Sequence, residues 1–346
     1  MGEANLAVNN LFKNPVYFAD FINGIAFAGE QVIQPENLAY RPTKSGVLYV
    51  NSDEAKRTLE KDRDVQAWGD LNLGMHFALF CLENQNNIHY AMPVRSYLYD
   101  ALGYMEQVKE LEKKHIERGD LLHVDEFLSK ITKDDCIYPI ITFVLYWGEK
   151  PWEGSTSLYE MMGLHDNKYA GQIKGFLPDY KINPIDARQI EDVKAFKTSL
   201  QLLFSVLKYS KNGMELKRFK DDNSEQLRKV DPTIASAMIT FLGERIRLGS
   251  NLRGQICREE AVDMCQGITD LIEEGREEGR EEGIKIGVVF NLIDLVREKR
   301  DEGMKCQMIS AFLKNNAEQV EQIYNILELN PEWTNEQIYE WMKAEK

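Results

Sequence analysis

The chain has 346 residues, 43% of them hydrophobic and 28% charged, which is typical of a protein that buries a core and excludes a largely disordered one. Its length favours more than one domain, because domains average roughly 100–200 residues. The net charge of −14 argues against a protein that is basic over its whole surface.

The first predicted element is an amphipathic helix over residues 16–30, with Gly29 near its end as a stop. Its apolar residues recur at helical spacing: Phe18, Phe21, Ile22, Ile25 and Ala26. Residues 46–50 have strand composition, whereas the charged segment 53–62 is predicted to be a helical turn or a loop.

Residues 63–85 are predicted to form an antiparallel hairpin. RDVQAW at 63–68 alternates as a strand does, and HFALFCLENQ at 76–85 is a nearly continuous apolar run. GDLNLG at 69–74 has the chemistry of a turn between them.

A long amphipathic helix is predicted from Met92 to about Arg118, and residues 138–148 are predicted to be a buried strand. The order helix, strands, helix, strand indicates an α/β fold whose sheet is covered on at least one side. Residues 184–250 carry long helical patterns and no strand of comparable strength, which predicts a helical second domain.

The C-terminal part of the sequence begins with the repeat EEGREEGREEG at 273–283, which predicts an exposed helical or flexible connector. The last sixty or so residues have helical spacing, with a capping box formed by Thr334 and Gln337. We therefore predict four parts: residues 1–165, 166–268, 269–287 and 288–346.

Acidic and basic residues are unevenly distributed, with net charges of −7 in residues 1–150, +3 in 151–257 and −10 in 258–346. The middle segment holds a group of cations that forms either a basic strip or a solvated helix face with loop charges. These cations are Lys208, Lys211, Lys217, Arg218, Lys220, Arg228 and Lys229.

Localisation and cysteine chemistry are predicted from what the sequence lacks. Its first residues do not resemble a secretion signal, and no apolar run reaches the ~20 residues that span a bilayer, so we expect a cytoplasmic protein without a membrane partner. The five cysteines have no CxxC pair and no histidine at ligand spacing, so we interpret them as small buried hydrophobes. His76 and His89 receive no ligand role.

Three polar side chains form a candidate site on the predicted hairpin. Glu83 and Gln85 lie two residues apart on one strand and so point to the same face. Asp64 precedes Glu83 by nineteen residues, a spacing that suits a hairpin with one carboxylate on each strand. Two carboxylates and several waters are what Mg²⁺ accepts, and a metal-bound water is a nucleophile for a phosphodiester.

Several blocks of the sequence resemble, in the right order, a family of bacterial proteins. Its members are named recombination-promoting nucleases and also transposases. The blocks are FADFINGIAFAGEQVI, RDVQAW, LENQNNIHYAMPVRSYLYDALGY and YPIITFVLYWGEKPWEGSTSLYEMM. The family is a branch of the PD-(D/E)xK nuclease superfamily. The resemblance covers residues 15–165 and implies a restriction-endonuclease-like core, a central mixed sheet flanked by helices, followed by a mainly helical C-terminal region.

The resemblance assigns catalytic and metal-binding roles to Asp64 and Glu83 and places Gln85 where the superfamily has its lysine. A neutral amide lacks the positive charge that a lysine offers the transition state. Ala67 also departs from relatives that have lysine there. Glu30 is a further candidate ligand, with a plain surface acid as the alternative.

Arg95, Tyr99 and Tyr104 follow the candidate strand and either approach DNA, brace the site or simply pack in the fold. The resemblance implies a DNA endonuclease that uses Mg²⁺ or Mn²⁺, promotes recombination or mobile-element activity, and cuts strands without joining them. The alternative is a weak or inactive nuclease fold that serves as a DNA-binding or protein-interaction module. We predict a homodimer, because a double-strand cut needs two active sites.

Overall fold

The computed structural model describes most of the chain, in two compact units, Met1–Ile272 and Glu273–Lys346. For residues 44–50 and 56–62 we consider the backbone alone. The described residues are 3–40, 44–50, 56–62, 64–69, 78–164, 168–242, 261–313 and 317–344.

The first unit alternates helices and strands. Short 3-10 helices cover Pro35–Asn37 and Val193–Ala195. The elements in chain order are α1 (Glu3–Lys13), α2 (Pro15–Ala26), β1 (Leu38–Tyr40), β2 (Lys44–Val50), β3 (Lys56–Asp62), β4 (Val65–Gly69), β5 (Ala78–Gln85), α3 (Met92–Arg118), α4 (Val124–Ser129), β6 (Ile140–Tyr146), α5 (Leu158–Met161), α6 (Ala170–Lys174), β7 (Asn183–Asp186), α7 (Leu200–Tyr209), α8 (Gly213–Asp222), α9 (Ser224–Leu227) and α10 (Pro232–Leu242).

The sheet has five strands in the order β1-β4-β5-β6-β7. Strands β1, β4 and β5 are antiparallel, and β5, β6 and β7 are parallel, so the predicted mixed sheet is confirmed. Strands β2 and β3 pair separately as an antiparallel ribbon. The prediction of a turn or loop over 53–62 is wrong for 56–62, which form β3, and residues 53–55 lie outside the described part of the chain.

Helices cover both faces of the sheet. Phe80 and Leu82 of β5 belong to the main core, together with apolar residues of α1, α2, α7 and α10. Leu79 and Cys81 point the opposite way and share a smaller core with Tyr104 of α3. Because side chains alternate along a strand, Glu83 faces the α3 side.

The helical segment after β6 shares the main core with the sheet. Trp147 packs on Phe241 of α10, with ring centroids 5.0 Å apart, and Arg188 donates to the carbonyls of Trp147 and Phe241 over 3.3 and 3.0 Å. The predicted boundary at residue 165 lies inside this first compact unit. The division into four parts stays a prediction.

The second unit is helical, as predicted for the C-terminal part. Its helices are α11 (Cys265–Asp301), which begins in the first unit, α12 (Cys306–Leu313), α13 (Ala317–Leu329) and α14 (Asn335–Ala344). The EEG repeat is helical, within α11. The capping box is confirmed, because Thr334 N–H donates to Gln337 Oε1 over 2.9 Å and Gln337 N–H donates to Thr334 Oγ1 over 3.3 Å.

The cysteines are only partly as predicted. Cys81 is buried, but Cys136 is exposed, so the interpretation as a buried hydrophobe is wrong for Cys136, which sits in a surface loop before β6. Cys265 and Cys306 are half-buried, and Cys257 lies outside the described residues. None of the helices within the described ranges is long and apolar enough to cross a membrane.

His115 ties the end of α3 to the loop that follows it. Its Nδ1 lies 2.6 Å from Asp120 Oδ1, and its Nε2 lies 2.9 Å from Asp135 Oδ2. The hydrogen bonds to Asp120 and then Asp135 raise the pKa of His115 above its ordinary 6.5. Burial alone would raise the pKa of Asp135, but hydrogen bonds from Thr132 and His115 lower it.

We expect the stability of the protein to fall as pH rises through the raised pKa of His115. The contribution of the imidazolium is complete below 6.5, the ordinary pKa of histidine, and is lost once the folded-state group deprotonates. On the acid side, the contribution of Asp135 is lost as pH falls through its lowered pKa. Urea unfolding across the pH range should show that His115→Gln flattens the loss at higher pH. Parallel curves for the two proteins would contradict this role.

Candidate active site

The register of the sheet brings Asp64 beside Glu83. Val65, the first residue of β4, pairs with Leu82 of the antiparallel strand β5. Asp64, one residue before Val65, therefore lies level with Glu83. The backbone N–H of Asn84 donates to Asp64 Oδ2 over 2.8 Å. The structure therefore places Asp64 directly before β4, beside Glu83 of the neighbouring strand β5, and Gln85 lies two residues after Glu83 on β5.

Asp64 is fixed by a buried amide pair that reaches α1. Asn9 Nδ2 donates to Asp64 Oδ1 over 3.3 Å, and Asn84 Nδ2 donates to Asn9 Oδ1 over 2.6 Å. Both asparagines are buried. Burial raises the pKa of Asp64, and this effect is opposed by the hydrogen bonds from Asn84 and Asn9 and by the charge of Arg95.

Arg95, from the first turns of α3, brings a positive charge to the site. Its Nη2 lies 3.2 Å from Glu83 Oε2, and its Nε donates to the hydroxyl of Tyr99 over 3.0 Å. The side chain of Glu83 is 0% exposed and that of Arg95 is 32% exposed. Arg95 therefore reaches from a buried carboxylate towards solvent. This geometry favours a role for Arg95 and Tyr99 in bracing the site.

Tyr104 lies farther along α3 and has a different contact. Its hydroxyl accepts a hydrogen bond from the backbone N–H of Ile140 over 3.2 Å, at the start of β6. This contact fixes the helix against the sheet, so Tyr104 has a packing role.

Glu30 is not brought together with the carboxylate pair in a larger acidic cluster. It is exposed in the loop after α2, where its N–H donates to the carbonyl of Phe27 over 2.9 Å. In the part of the chain that the structure describes, no three His, Cys, Asp or Glu side chains gather closely enough to hold a metal ion. Any cation here would rely on Asp64 and Glu83 as its charged ligands.

The donor atoms of the site suit a hard divalent cation. The two carboxylates and the amide of Gln85 offer oxygen atoms, the ligand type of Mg²⁺, which takes one or two carboxylates while it keeps several waters. His89 lies on the loop after β5, and among the described residues no group of three ligand side chains includes it. His76 lies outside the described residues. The residues present therefore fit Mg²⁺ or Mn²⁺.

The basic strip proposed for the middle segment is partly engaged in internal contacts. Lys208 Nζ donates to the carbonyl of Ile190 over 2.9 Å, and Lys211 Nζ donates to the carbonyl of Glu149. Lys220 Nζ donates to Thr269 Oγ1 over 3.0 Å. These contacts favour local structural roles for the three lysines.

Asn9 is a site residue that the sequence did not reveal. We expect Asn9→Ala to lower the free energy of unfolding by about 1–3 kcal/mol, because the buried amide of Asn84 loses its acceptor. Urea denaturation measures this change. The neighbouring Asn10 is exposed, so Asn10→Ala is the matched control and should leave stability unchanged. Equal stability of the two variants would show that the amide pair contributes little.

Comparison of this chain with protein-family models, with curated proteins and with solved structures finds no match.

Proposed function

We propose that the first unit is a metal-dependent DNA endonuclease of the PD-(D/E)xK type, with Asp64, Glu83 and Gln85 as its active-site residues. The observation that carries the proposal is the hydrogen bond of 2.8 Å from Asn84 N–H to Asp64, which fixes one carboxylate next to the strand that bears the other. The sequence resemblance adds the substrate class, DNA, and the role in recombination or mobile-element activity.

The chain connectivity supports the same proposal. A helix, three antiparallel strands, a long helix and a parallel strand occur in this order as α2, β1, β4, β5, α3 and β6, with the β2–β3 ribbon inserted after β1 and the short helix α4 before β6. The resemblance implies a mixed sheet flanked by helices, with acidic residues that fall here on Asp64, just before β4, and on Glu83 of β5.

Asp64 and Glu83 would hold the metal ion, and Gln85 would orient the attacking water or a phosphate oxygen. Mg²⁺, when bound, supplies the positive charge that stabilises the developing negative charge on the phosphate. Arg95 would supply part of the charge that Gln85 lacks, since its guanidinium lies beside Glu83 and is partly open to solvent. The buried Asn9–Asn84 pair would hold Asp64 in one orientation.

The second candidate function is a DNA-binding or protein-interaction module with weak or no catalysis. Two observations favour it: a glutamine replaces the lysine of the superfamily, and the net charge is −14. For the nuclease we propose a homodimer, with one active site for each DNA strand.

Incubation of the purified protein with supercoiled plasmid tests the proposal. We expect nicked and then linear DNA with Mg²⁺ or Mn²⁺, and no cleavage with EDTA or with Ca²⁺ alone. Metal-independent DNA or protein binding without any cleavage would support the module instead. Light scattering at micromolar concentration tests the dimer, which a monomer would contradict.

A further inference from the structure

A separate pocket lies on the α3 side of the sheet, between α3 and the strands β6 and β7. Its volume is about 480 Å³. Aromatic and apolar side chains form its walls, and Asp100, Lys181 and Asn183 add polar groups. The volume falls in the range of sites for small organic molecules.

Two of the three tyrosines of the pocket, Tyr104 and Tyr180, are held by hydrogen bonds of their hydroxyl groups. Tyr180 donates to Asp100 Oδ2 over 2.6 Å, and Tyr104 accepts from the N–H of Ile140. The ring of Tyr97 lies 5.1 Å from that of Tyr180, at an angle of 44°. Tyr97 is 45% exposed, so it presents ring surface at the mouth of the pocket.

The pocket is next to the carboxylate pair. Thr142 lines it and pairs with Cys81, whereas Glu83 pairs with Val144, two residues farther along the same strands. Two residues along a strand and one strand across correspond to a separation of about 8 Å between the Cα atoms of Thr142 and Glu83. A bound DNA strand at Glu83 would therefore have its neighbouring nucleotide within reach of the pocket.

We infer that this pocket binds the base of an unpaired nucleotide next to the cleaved phosphate. The inference rests on the proposed nuclease function. The tyrosine rings offer surfaces on which a nucleic-acid base can stack, and such stacking is open to all four bases. Asp100 holds the wall of the pocket together, because its two carboxylate oxygens accept from Thr142 and Tyr180. The exposed Lys181 at the rim attracts a phosphate.

Binding of a fluorescent single-stranded oligonucleotide, measured by anisotropy in EDTA, tests the pocket without cleavage. We expect Tyr97→Ala to weaken binding about tenfold, because one stacking surface is lost. Tyr97→Phe keeps the ring and should bind like the wild type. Tyr169→Ala removes another exposed tyrosine, outside the pocket, and should also bind like the wild type.

Wild-type affinity in Tyr97→Ala would overturn the inference, as would an equal loss in Tyr169→Ala or no binding by the wild type. Circular dichroism melting checks that each variant is folded. The plasmid assay separates this outcome from the proposed function. If the wild type cleaves the plasmid but Tyr97→Ala binds the oligonucleotide as tightly as the wild type does, the pocket alone is overturned. If Tyr97→Ala weakens binding but the wild type does not cleave, the nuclease alone is overturned.

Discussion

Glu83→Gln and Asp64→Asn are each expected to lower the rate of plasmid cleavage by at least about 100-fold, the size of loss seen when one electrostatic group of an active site is removed. Each substitution preserves the shape of the side chain but removes a negative charge from the proposed metal site. Glu83→Gln also breaks the ion pair with Arg95, and Asp64→Asn weakens the acceptor of the Asn84 N–H. Initial rates of nicking at saturating Mg²⁺ measure the effect.

The matched control for these variants is Glu117→Gln, which removes a charge from an exposed position on α3, where Glu117 is 63% exposed and pairs only loosely with Lys113 at 3.7 Å. It should cleave like the wild type. A variant of Asp64 or Glu83 that is folded and cleaves at the wild-type rate would remove that residue from the proposed active site.

Arg95→Met is expected to lower both stability and cleavage. It removes the positive charge beside the fully buried Glu83, which should cost about 1–3 kcal/mol of unfolding free energy. The cost stays in this range because water already screens the partly exposed guanidinium. In the proposed function the charge of Arg95 acts on the transition state, so the expected loss is in kcat for cleavage, with little change in DNA affinity. Urea denaturation and single-turnover kinetics measure the two effects.

Arg95→Lys distinguishes charge from geometry. Lysine keeps the positive charge, but its single ammonium group cannot contact both Glu83 and Tyr99 in the way that the guanidinium does. We expect partial recovery of the cleavage rate relative to Arg95→Met. A cleavage rate in Arg95→Met equal to the wild-type rate would show that Arg95 serves stability alone.

The parts of the fold that the sequence predicts have strong local patterns. The continuous apolar run that ends at Gln85 gives β5, and the helical spacing from Met92 to Arg118 gives α3 with the same bounds. The alternation restricts the pairing of the hairpin, because a slip of one residue would turn Phe80 and Leu82 away from the core face. The proximity of Asp64 and Glu83 was predictable for the same reason.

The strands that the sequence does not predict lack an apolar or alternating pattern of their own and are defined by pairing with a neighbouring strand. Strand β3 has the charged sequence KRTLEKD and is defined by its pairing with β2. Strand β7 is four residues long and contains Pro184, which argues against a central strand. It lies at the edge of the sheet and pairs with β6 alone, where a proline is tolerated.

The supporting residues of the site were hidden for a related reason. Asn9 and Asp64 are 55 residues apart in sequence, and no spacing rule connects an asparagine on α1 with a carboxylate beside β4. Arg95 was a candidate because it follows the site strand, but its contact with Glu83 depends on how α3 packs on the sheet. Such contacts come from tertiary packing, which a single sequence does not encode in a local pattern.

Binding of Mn²⁺, followed by electron paramagnetic resonance, tests the central claim most directly, because it asks whether Asp64 and Glu83 form a metal centre without requiring the right DNA substrate. We expect the wild type to bind Mn²⁺ with release by excess Mg²⁺, and the double variant Asp64→Asn with Glu83→Gln to lose this binding while Glu117→Gln retains it. Equal binding by the wild type and the folded double variant, or no binding by the wild type, would contradict a metal-dependent nuclease at this site.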